Sequence, residues 1–156
     1  MLNKQFLFSN LNHFIALGFG SGLFKRGPGT AGSLVAIPVF FLIINFNIFL
    51  QWLFILTLFF VGMHTANITS QNLKIKDPSC IVIDEIVALV MLFLLIPQSM
   101  TNFVLAFIFF RLFDIFKPYP ISWAEKKFQH GFGIMFDDIL AALLSLTLLK
   151  ITNYVF

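Results

Sequence analysis

Two long stretches of the chain carry apolar residues and no charged side chain. The first runs from Gly27 to Leu73 and is long enough for two membrane spans of about 20 residues each. The polar triplet Asn45 to Asn47 marks the turn between these two spans. The second stretch, Ile86 to Phe110, is interrupted by the polar segment Pro97 to Asn102, so we expect one span to end and another to begin there.

The two ends of the chain extend this pattern. An apolar stretch that begins after Gly133 and continues past Leu149 predicts a fifth span. Near the start, polar residues interrupt the apolar run up to Phe19, which predicts an interfacial helix and not a signal peptide. The expected fold is all-α: a polytopic membrane helical bundle of about five transmembrane or partly embedded helices, plus the N-terminal interfacial helix. Residues 1–156 are expected to form one membrane-embedded domain.

Composition and charge agree with a membrane setting. Hydrophobic residues make up 59% of the chain and charged residues 11%, which is more apolar than a soluble core requires. The net charge of +3 comes from grouped basic residues, which suit contact with membrane lipids better than with nucleic acid. Nearly all of them fall on one side of the predicted spans, so that side should face the cytoplasm. The single cysteine, Cys80, is interpreted as a small buried residue, and the oligomeric state is left open.

Acidic residues lie close to the cytoplasmic ends of three predicted spans. Asp84 and Glu85 are about one turn into the third span, Asp114 about one turn before the end of the fourth, and Asp137 and Asp138 about one turn into the fifth. A carboxylate at the centre of a membrane helix costs roughly 2.5 to 3.5 kcal/mol, so five at one depth need a compensating partner. Hard carboxylate oxygens favour Mg²⁺ or Mn²⁺ over zinc or copper. These five acids are therefore the predicted catalytic residues and metal ligands, with the choice of general base left open.

The same acids could have a role that needs no catalytic metal. They could pair with Arg111 and the lysines, or extend to water as ordinary charges at the ends of spans, in a purely structural membrane protein. They could also bind ions in a cation transporter, although a transporter would place them near the middle of the membrane on broken helices.

A glycine-rich segment precedes the first span. Residues Gly18 to Leu34 hold six of the nine glycines, which implies a shaped backbone that a ligand can approach closely. Thr30 or Ser33 is expected to cap the following helix, whose N-terminus would attract a phosphate. The alternative is a flexible lead-in loop in which Lys25 and Arg26 only set the orientation in the membrane.

The end of the fourth span carries a second set of polar residues. Arg111 and Asp114 are three residues apart and should share a helix face, and Lys117 lies where the helix dipole favours a cation. Pro118 and Pro120 should end the helix there. The alternative is an Arg–Asp pair and a lysine that anchors the helix at the interface.

Five segments, taken together and in order, resemble the phosphatidylglycerophosphatase A family. They are GFGSGL, PGTAGSL, IVIDE, FRLFDIFKPYPI and GIMFDD. The resemblance implies a small, multi-pass, magnesium-dependent lipid phosphatase of the bacterial inner membrane, with its active site facing the cytoplasm. Such an enzyme removes the terminal phosphate of phosphatidylglycerophosphate and gives phosphatidylglycerol.

The resemblance and the pattern of residues together give a predicted site. The carboxylates would hold Mg²⁺, which would polarise a phosphoryl oxygen, and a free Asp or Glu could act as general base. Asp77 is a further, supporting candidate that the resemblance implies. The predicted phosphate-binding residues are Lys25, Arg26, Gly29, Thr30, Gly32, Ser33, Arg111 and Lys117.

Overall fold

The computed structural model describes residues 3–155, which form helices and no strand. The all-α prediction is thereby confirmed, while the predicted domain limits at residues 1 and 156 lie outside the described residues. The helices are α1 (Lys4–Ser9), α2 (Leu11–Ala16), α3 (Pro28–Ile43), α4 (Ile48–Leu73), α5 (Ile83–Leu95), α6 (Met100–Phe116), α7 (Ile121–Lys127) and α8 (His130–Val155).

The N-terminal region contains two short helices where one interfacial helix was expected. The backbone of Asn10 is extended, so it ends α1, and its side chain accepts a hydrogen bond from the backbone N–H of Asn12 at the start of α2. Asn10 therefore acts as an N-cap that restarts the helix. The pair is docked on the bundle, because the buried His13 ring lies 3.0 Å from the hydroxyl of Thr69 on α4.

The glycine-rich segment forms a tight 3₁₀ turn from Gly18 to Leu23 before α3 begins. Gly20 has a φ of 102°, a conformation that residues with a Cβ rarely adopt. A Cβ on Gly22 would collide with the carbonyl oxygen of Cys80, so this glycine allows the turn to pack against the segment that leads into α5. Cys80 is buried as expected, and burial raises the pKa of its thiol to about 11.

The predicted caps of α3 are wrong. Gly27, with a φ of 65°, stands at the N-cap without a side-chain hydrogen bond, and Pro28 fills the first helical position. Pro fits there because the first N–H groups of a helix have no intrahelical partner to lose. Thr30 and Ser33 lie inside the helix, where Thr30 is exposed and Ser33 is buried.

Helix α5 forms the centre of the bundle. Its residues from Ile83 to Phe93 are all buried, and α3, α4 and α8 pack around it. A helix covered on every side has no polar face, which explains why this segment is a continuous apolar run apart from its two acids. At 13 residues it is about 20 Å long, which is shorter than the roughly 30 Å hydrocarbon layer of a membrane.

The predicted spans are helices, and the predicted turns separate them. Among the described residues, α4 and α8 are long and apolar enough to cross a membrane, and α3 is a shorter apolar helix. Helix α6 has 17 residues and is polar only towards its two ends. The structure thus gives a helical bundle with two candidate membrane spans, and the number of five spans stays a prediction.

Candidate active site

One polar cavity of about 240 Å³ brings together all five of the predicted acids. It lies at the end of the bundle where α3, α5 and α8 begin and α6 ends. The residues that line it are Gly27, Pro28, Gly29, Asp77, Ser79, Ile81, Asp84, Glu85, Arg111, Asp114, Lys117, Asp137 and Asp138. The expectation that these carboxylates converge on one site is therefore met by the geometry.

Arg111 connects three elements on one side of the polar cavity. Its Nη1 atom lies 2.9 Å from Oε1 of Glu85 on α5 and 2.8 Å from Oδ2 of Asp114, one turn further along α6. The same nitrogen lies 3.4 Å from the hydroxyl of Ser33 on α3, a longer and weaker contact. The other carboxylate oxygen of Glu85, Oε2, is buried and has no hydrogen-bond partner within residues 3–155.

Lys117 connects α6 to two further helices on the other side of the polar cavity. Its Nζ atom lies 2.6 Å from Oδ2 of Asp137 on α8 and 3.5 Å from Oε1 of Glu125 on α7. Lys117 ends α6 in the left-handed conformation, and Pro118 follows it, so the chain turns there and the side chain faces α8. Burial alone would lower the pKa of the Lys117 ammonium, but the charge and hydrogen bond of Asp137 outweigh it and raise that pKa.

Asp84 and Asp138 are buried in the polar cavity and form none of the ion pairs among the described residues. Oδ1 of Asp84 accepts a hydrogen bond from the backbone N–H of Glu85, at 3.0 Å. Oδ2 of Asp138 and Oδ1 of Asp137 are also buried, and neither has a hydrogen-bond partner in the part of the chain that the structure describes. Burying an ionised carboxylate without a partner is costly, so these oxygens need a proton or a cation.

The carboxylates of the polar cavity are the type of ligand that a hard divalent cation prefers, although they are not arranged around one. Within residues 3–155, no three Asp, Glu, His or Cys side chains already form a metal-binding group. Arg111 and Lys117 instead bind oxygens of Glu85, Asp114 and Asp137. Unpartnered carboxylate oxygens on α5 and α8 in one cavity are the donors that Mg²⁺ prefers.

Two glycines of α3 allow that helix to approach Glu85. A Cβ on Gly29 would collide with Oε1 of Glu85 and come within 2.9 Å of Nη2 of Arg111. A Cβ on Gly32 would lie 2.5 Å from Cβ of Val82 and 2.7 Å from Oε2 of Glu85. Gly29 lines the polar cavity and Gly32 packs behind it, so the structure gives both glycines a packing role beside any role in binding phosphate.

Three of the predicted phosphate-binding residues lie apart from the acids. Lys25, Arg26 and Thr30 are exposed and do not line the polar cavity, so their role in binding phosphate stays a prediction. The structure adds Ser79 to the lining, which sequence reasoning missed. Its position between Asp77 and Asp84, in a short polar run before an apolar helix, is the signal that could have indicated it.

Asp77 lies at the mouth of the polar cavity, where it is exposed to solvent. Partial desolvation raises the pKa of its carboxyl, and the nearby Lys117 ammonium acts in the opposite direction. Asp77 therefore lies beside the five predicted acids, and the supporting role that the resemblance implies for it stays a prediction.

Comparison with known proteins gives consistent matches. The family model described as Phosphatidylglycerophosphatase A matches residues 14–153. The chain is 36% identical over 155 residues to Phosphatidylglycerophosphatase A of Haemophilus influenzae. The alignment covers 97% of this chain and 94% of that protein. The chain is 37% identical over 142 residues to Phosphatidylglycerophosphatase A of Escherichia coli, and this alignment covers 88% of this chain and 80% of that protein.

A third relative has a different name. A Bacteroides thetaiotaomicron protein with the provisional name phosphatidylinositol-3-phosphatase is 35% identical over 149 residues, which is 90% of this chain and 92% of that protein. No solved structure matches the chain.

Proposed function

The chain belongs to the phosphatidylglycerophosphatase A family of phosphatases, and we propose that it hydrolyses the terminal phosphate monoester of phosphatidylglycerophosphate to give phosphatidylglycerol and phosphate. The observation that carries this proposal is the polar cavity at one end of an apolar bundle, where five carboxylates stand beside Arg111 and Lys117. A lipid phosphate has the matching form, because its charged headgroup lies at the membrane surface while its acyl chains stay in the membrane.

We propose Mg²⁺ as the cofactor. Asp84, Glu85, Asp114, Asp137 and Asp138 would hold it, and the unpartnered oxygens of Glu85, Asp137 and Asp138 support this choice. When bound, the ion would supply Lewis-acid polarisation of a phosphoryl oxygen.

Arg111 and Lys117 would bind the phosphate by exchanging partners. Both cations now pair with carboxylates, and a phosphate dianion offers more negative charge and more acceptor oxygens than one carboxylate. An Arg111 that turns towards the phosphate would release Glu85, and a Lys117 that does so would release Asp137. A carboxylate released in this way can accept a proton from the attacking water as a general base.

We further propose a multi-pass position in the bacterial inner membrane, with the polar cavity on the cytoplasmic side. The basic residues support this orientation, because Lys25, Arg26, Lys76 and the lysines of α7 are near the elements that form the cavity. Substrate could then enter from the cytoplasmic layer of the membrane without leaving it.

The direct test is phosphate release from phosphatidylglycerophosphate in detergent micelles, with Mg²⁺ or with EDTA. We expect metal-dependent release by the native protein and a loss of at least about 100-fold in Asp84→Asn and Asp138→Asn, as is typical for residues that stabilise a transition state. Lys150→Gln is the control, because Lys150 is an exposed charged residue near the far end of α8, outside the lining of the polar cavity. It should keep most of the activity.

Phosphatidylinositol 3-phosphate should be assayed in parallel, because of the name of the third relative. Faster release from that lipid would change the proposed substrate and leave the reaction type intact. No release from either lipid by folded native protein would contradict the phosphatase proposal and favour ion transport or structural pairing as the role of the acids.

A further inference from the structure

A second cavity of about 380 Å³ lies between α3 and α6, and every residue that lines it is apolar. Its rims are formed by exposed side chains of the two helices: Leu34, Ile37, Phe41, Met100, Val104 and Ile108. We call it the α3–α6 groove. Its volume is within the range of roughly 300 to 1,000 Å³ that is usual for small-molecule sites.

The floor of the groove is a cluster of three phenylalanines. The ring of Phe40 lies 5.6 Å from that of Phe93 and 5.4 Å from that of Phe103, and the last two rings are 5.2 Å apart, each pair packed edge to face. Phe40 and Phe93 are almost fully buried. Edge-to-face packing of this kind fixes the rings against one another, so the floor is a preformed surface.

The groove exists because α3 and α6 pack on different partners. Helix α3 packs on α5, and α6 packs mainly on α8. The two helices are linked near the polar cavity, where Arg111 and Ser33 are 3.4 Å apart, and the groove separates them further along. This contact therefore marks the boundary between the polar cavity and the apolar groove.

The groove leads away from the polar cavity along both helices. On α6, Ile108, Val104 and Met100 lie three, seven and eleven residues before Arg111, a spacing that keeps them on one face of the helix. Eleven residues of helix span about 16 Å, or about half of the roughly 30 Å hydrocarbon layer. The direction of the groove is thus from the charged end of the bundle towards its apolar middle.

We propose that the α3–α6 groove binds an acyl chain of the lipid substrate while the phosphate of the same molecule occupies the polar cavity. This inference rests on the proposed function. A charged cavity beside an apolar groove matches a molecule that is itself charged at one end and apolar along its length. Contact with the chain would fix the direction of the lipid and present its phosphate monoester to Arg111 and Lys117.

Blocking the groove provides a kinetic test. Leu34→Trp and Val104→Trp each place a large ring on the rim of the groove, where the native side chains are about half exposed, so folding should be preserved. We expect KM for dioleoyl phosphatidylglycerophosphate to rise about tenfold with kcat little changed, the signature of lost substrate binding. Hydrolysis of the dihexanoyl lipid, whose chains are too short to extend along the groove, should change much less.

Leu56→Trp is the matched control. Leu34 and Leu56 are both leucines with 53% of their surface exposed, and Leu56 lies on α4, outside the groove. This variant should act as the native protein on both lipids. If Leu34→Trp and Val104→Trp also leave KM for the dioleoyl lipid unchanged, or reduce turnover of both lipids equally, the acyl-chain proposal is wrong.

A labelling experiment separates this inference from the proposed enzyme activity. The probe is phosphatidylglycerophosphate with a diazirine in one acyl chain, photoactivated in nanodiscs, with labelled residues identified by mass spectrometry. We expect labelling at Phe41 and Met100 that excess dioleoyl phosphatidylglycerophosphate reduces and phosphatidylcholine does not. Such labelling without phosphate release would support the groove and contradict the activity, whereas labelling no stronger than on α4 would overturn the groove.

Discussion

Nζ of Lys117 lies 2.6 Å from Oδ2 of Asp137, and this contact fastens the end of α6 to the beginning of α8. The two residues are 20 positions apart, and α7 is the connection between their helices. The Asp137 side chain is almost fully buried, whereas the Lys117 side chain keeps 23% of its surface exposed. The pair therefore joins α6 to α8 and also holds the Lys117 ammonium in the polar cavity.

Lys117→Met is expected to destabilise the protein. It would leave both oxygens of Asp137 without partners in a buried position, since Oδ1 already has no hydrogen-bond partner among the described residues. Removing one member of a buried ion pair costs about 3 kcal/mol at the lower end of the usual range, which suits a lysine that is partly exposed. The measurement is the thermal unfolding midpoint in detergent.

The double variant Lys117→Met/Asp137→Asn controls for the uncompensated charge. It should recover part of the midpoint lost in Lys117→Met, because the neutral amide no longer needs a cation. An equal or larger loss in the double variant would mean that Lys117 acts through packing and not through the charge of Asp137.

Gly29→Ala tests the close approach of α3 to Glu85. The added Cβ would collide with Oε1 of Glu85, so either α3 must shift or the Glu85–Arg111 pair must break. We expect a destabilisation of about 1 to 3 kcal/mol, the usual cost of overpacking, together with a clear loss of phosphatase activity. Leu42→Ala, at a highly exposed position of the same helix, is the control and should change neither property much. If Gly29→Ala keeps the native unfolding free energy and activity, α3 can shift away from Glu85 at little cost, and the prediction is wrong.

These residues show what the sequence could indicate. The acids were identified from sequence because a carboxylate in an apolar helix is costly, and their distance from the ends of the predicted spans placed them at one depth. The contact between Gly29 and Glu85 joins residues far apart in the chain, and no local pattern predicts it. Ser33 was expected to cap α3 because its residue type is typical of caps, but Pro28 starts the helix earlier, and Ser33 is buried inside it near Arg111.

Asp77→Asn is expected to raise stability at neutral pH. Because the pKa of Asp77 is raised in the fold, the folded protein holds this proton more tightly than the unfolded chain does. The resulting stabilisation is complete below the ordinary value of 3.8 and is lost as the pH rises through the raised pKa. Asn cannot ionise, so the variant does not lose this stabilisation as the pH rises. Its thermal unfolding midpoint should therefore exceed that of the native protein at pH 7.5, and the difference should shrink towards pH 4. A lower midpoint at neutral pH would show that the ionised carboxylate is favourably paired with Lys117.

The docking of α1 and α2 on the bundle should weaken in acid because of His13. Its Nδ1 lies 3.0 Å from the Thr69 hydroxyl, and Asn72 Nδ2 lies 3.2 Å from its Nε2, so the neutral ring with the proton on Nδ1 satisfies both contacts. Burial lowers the pKa of His13, so the stabilisation is complete above the ordinary value of 6.5 and is lost as the pH falls through the lowered pKa. A second proton would make Nε2 a donor that faces the donor amide of Asn72.

Hydrogen exchange of residues 6–16, corrected for its intrinsic pH dependence, should therefore be faster at pH 5 than at pH 7.5, and His13→Gln should abolish this difference. Equal protection at both pH values in the native protein would mean that the stacked Phe6 ring and the apolar contacts of α2 hold the N-terminal helices without help from the state of His13.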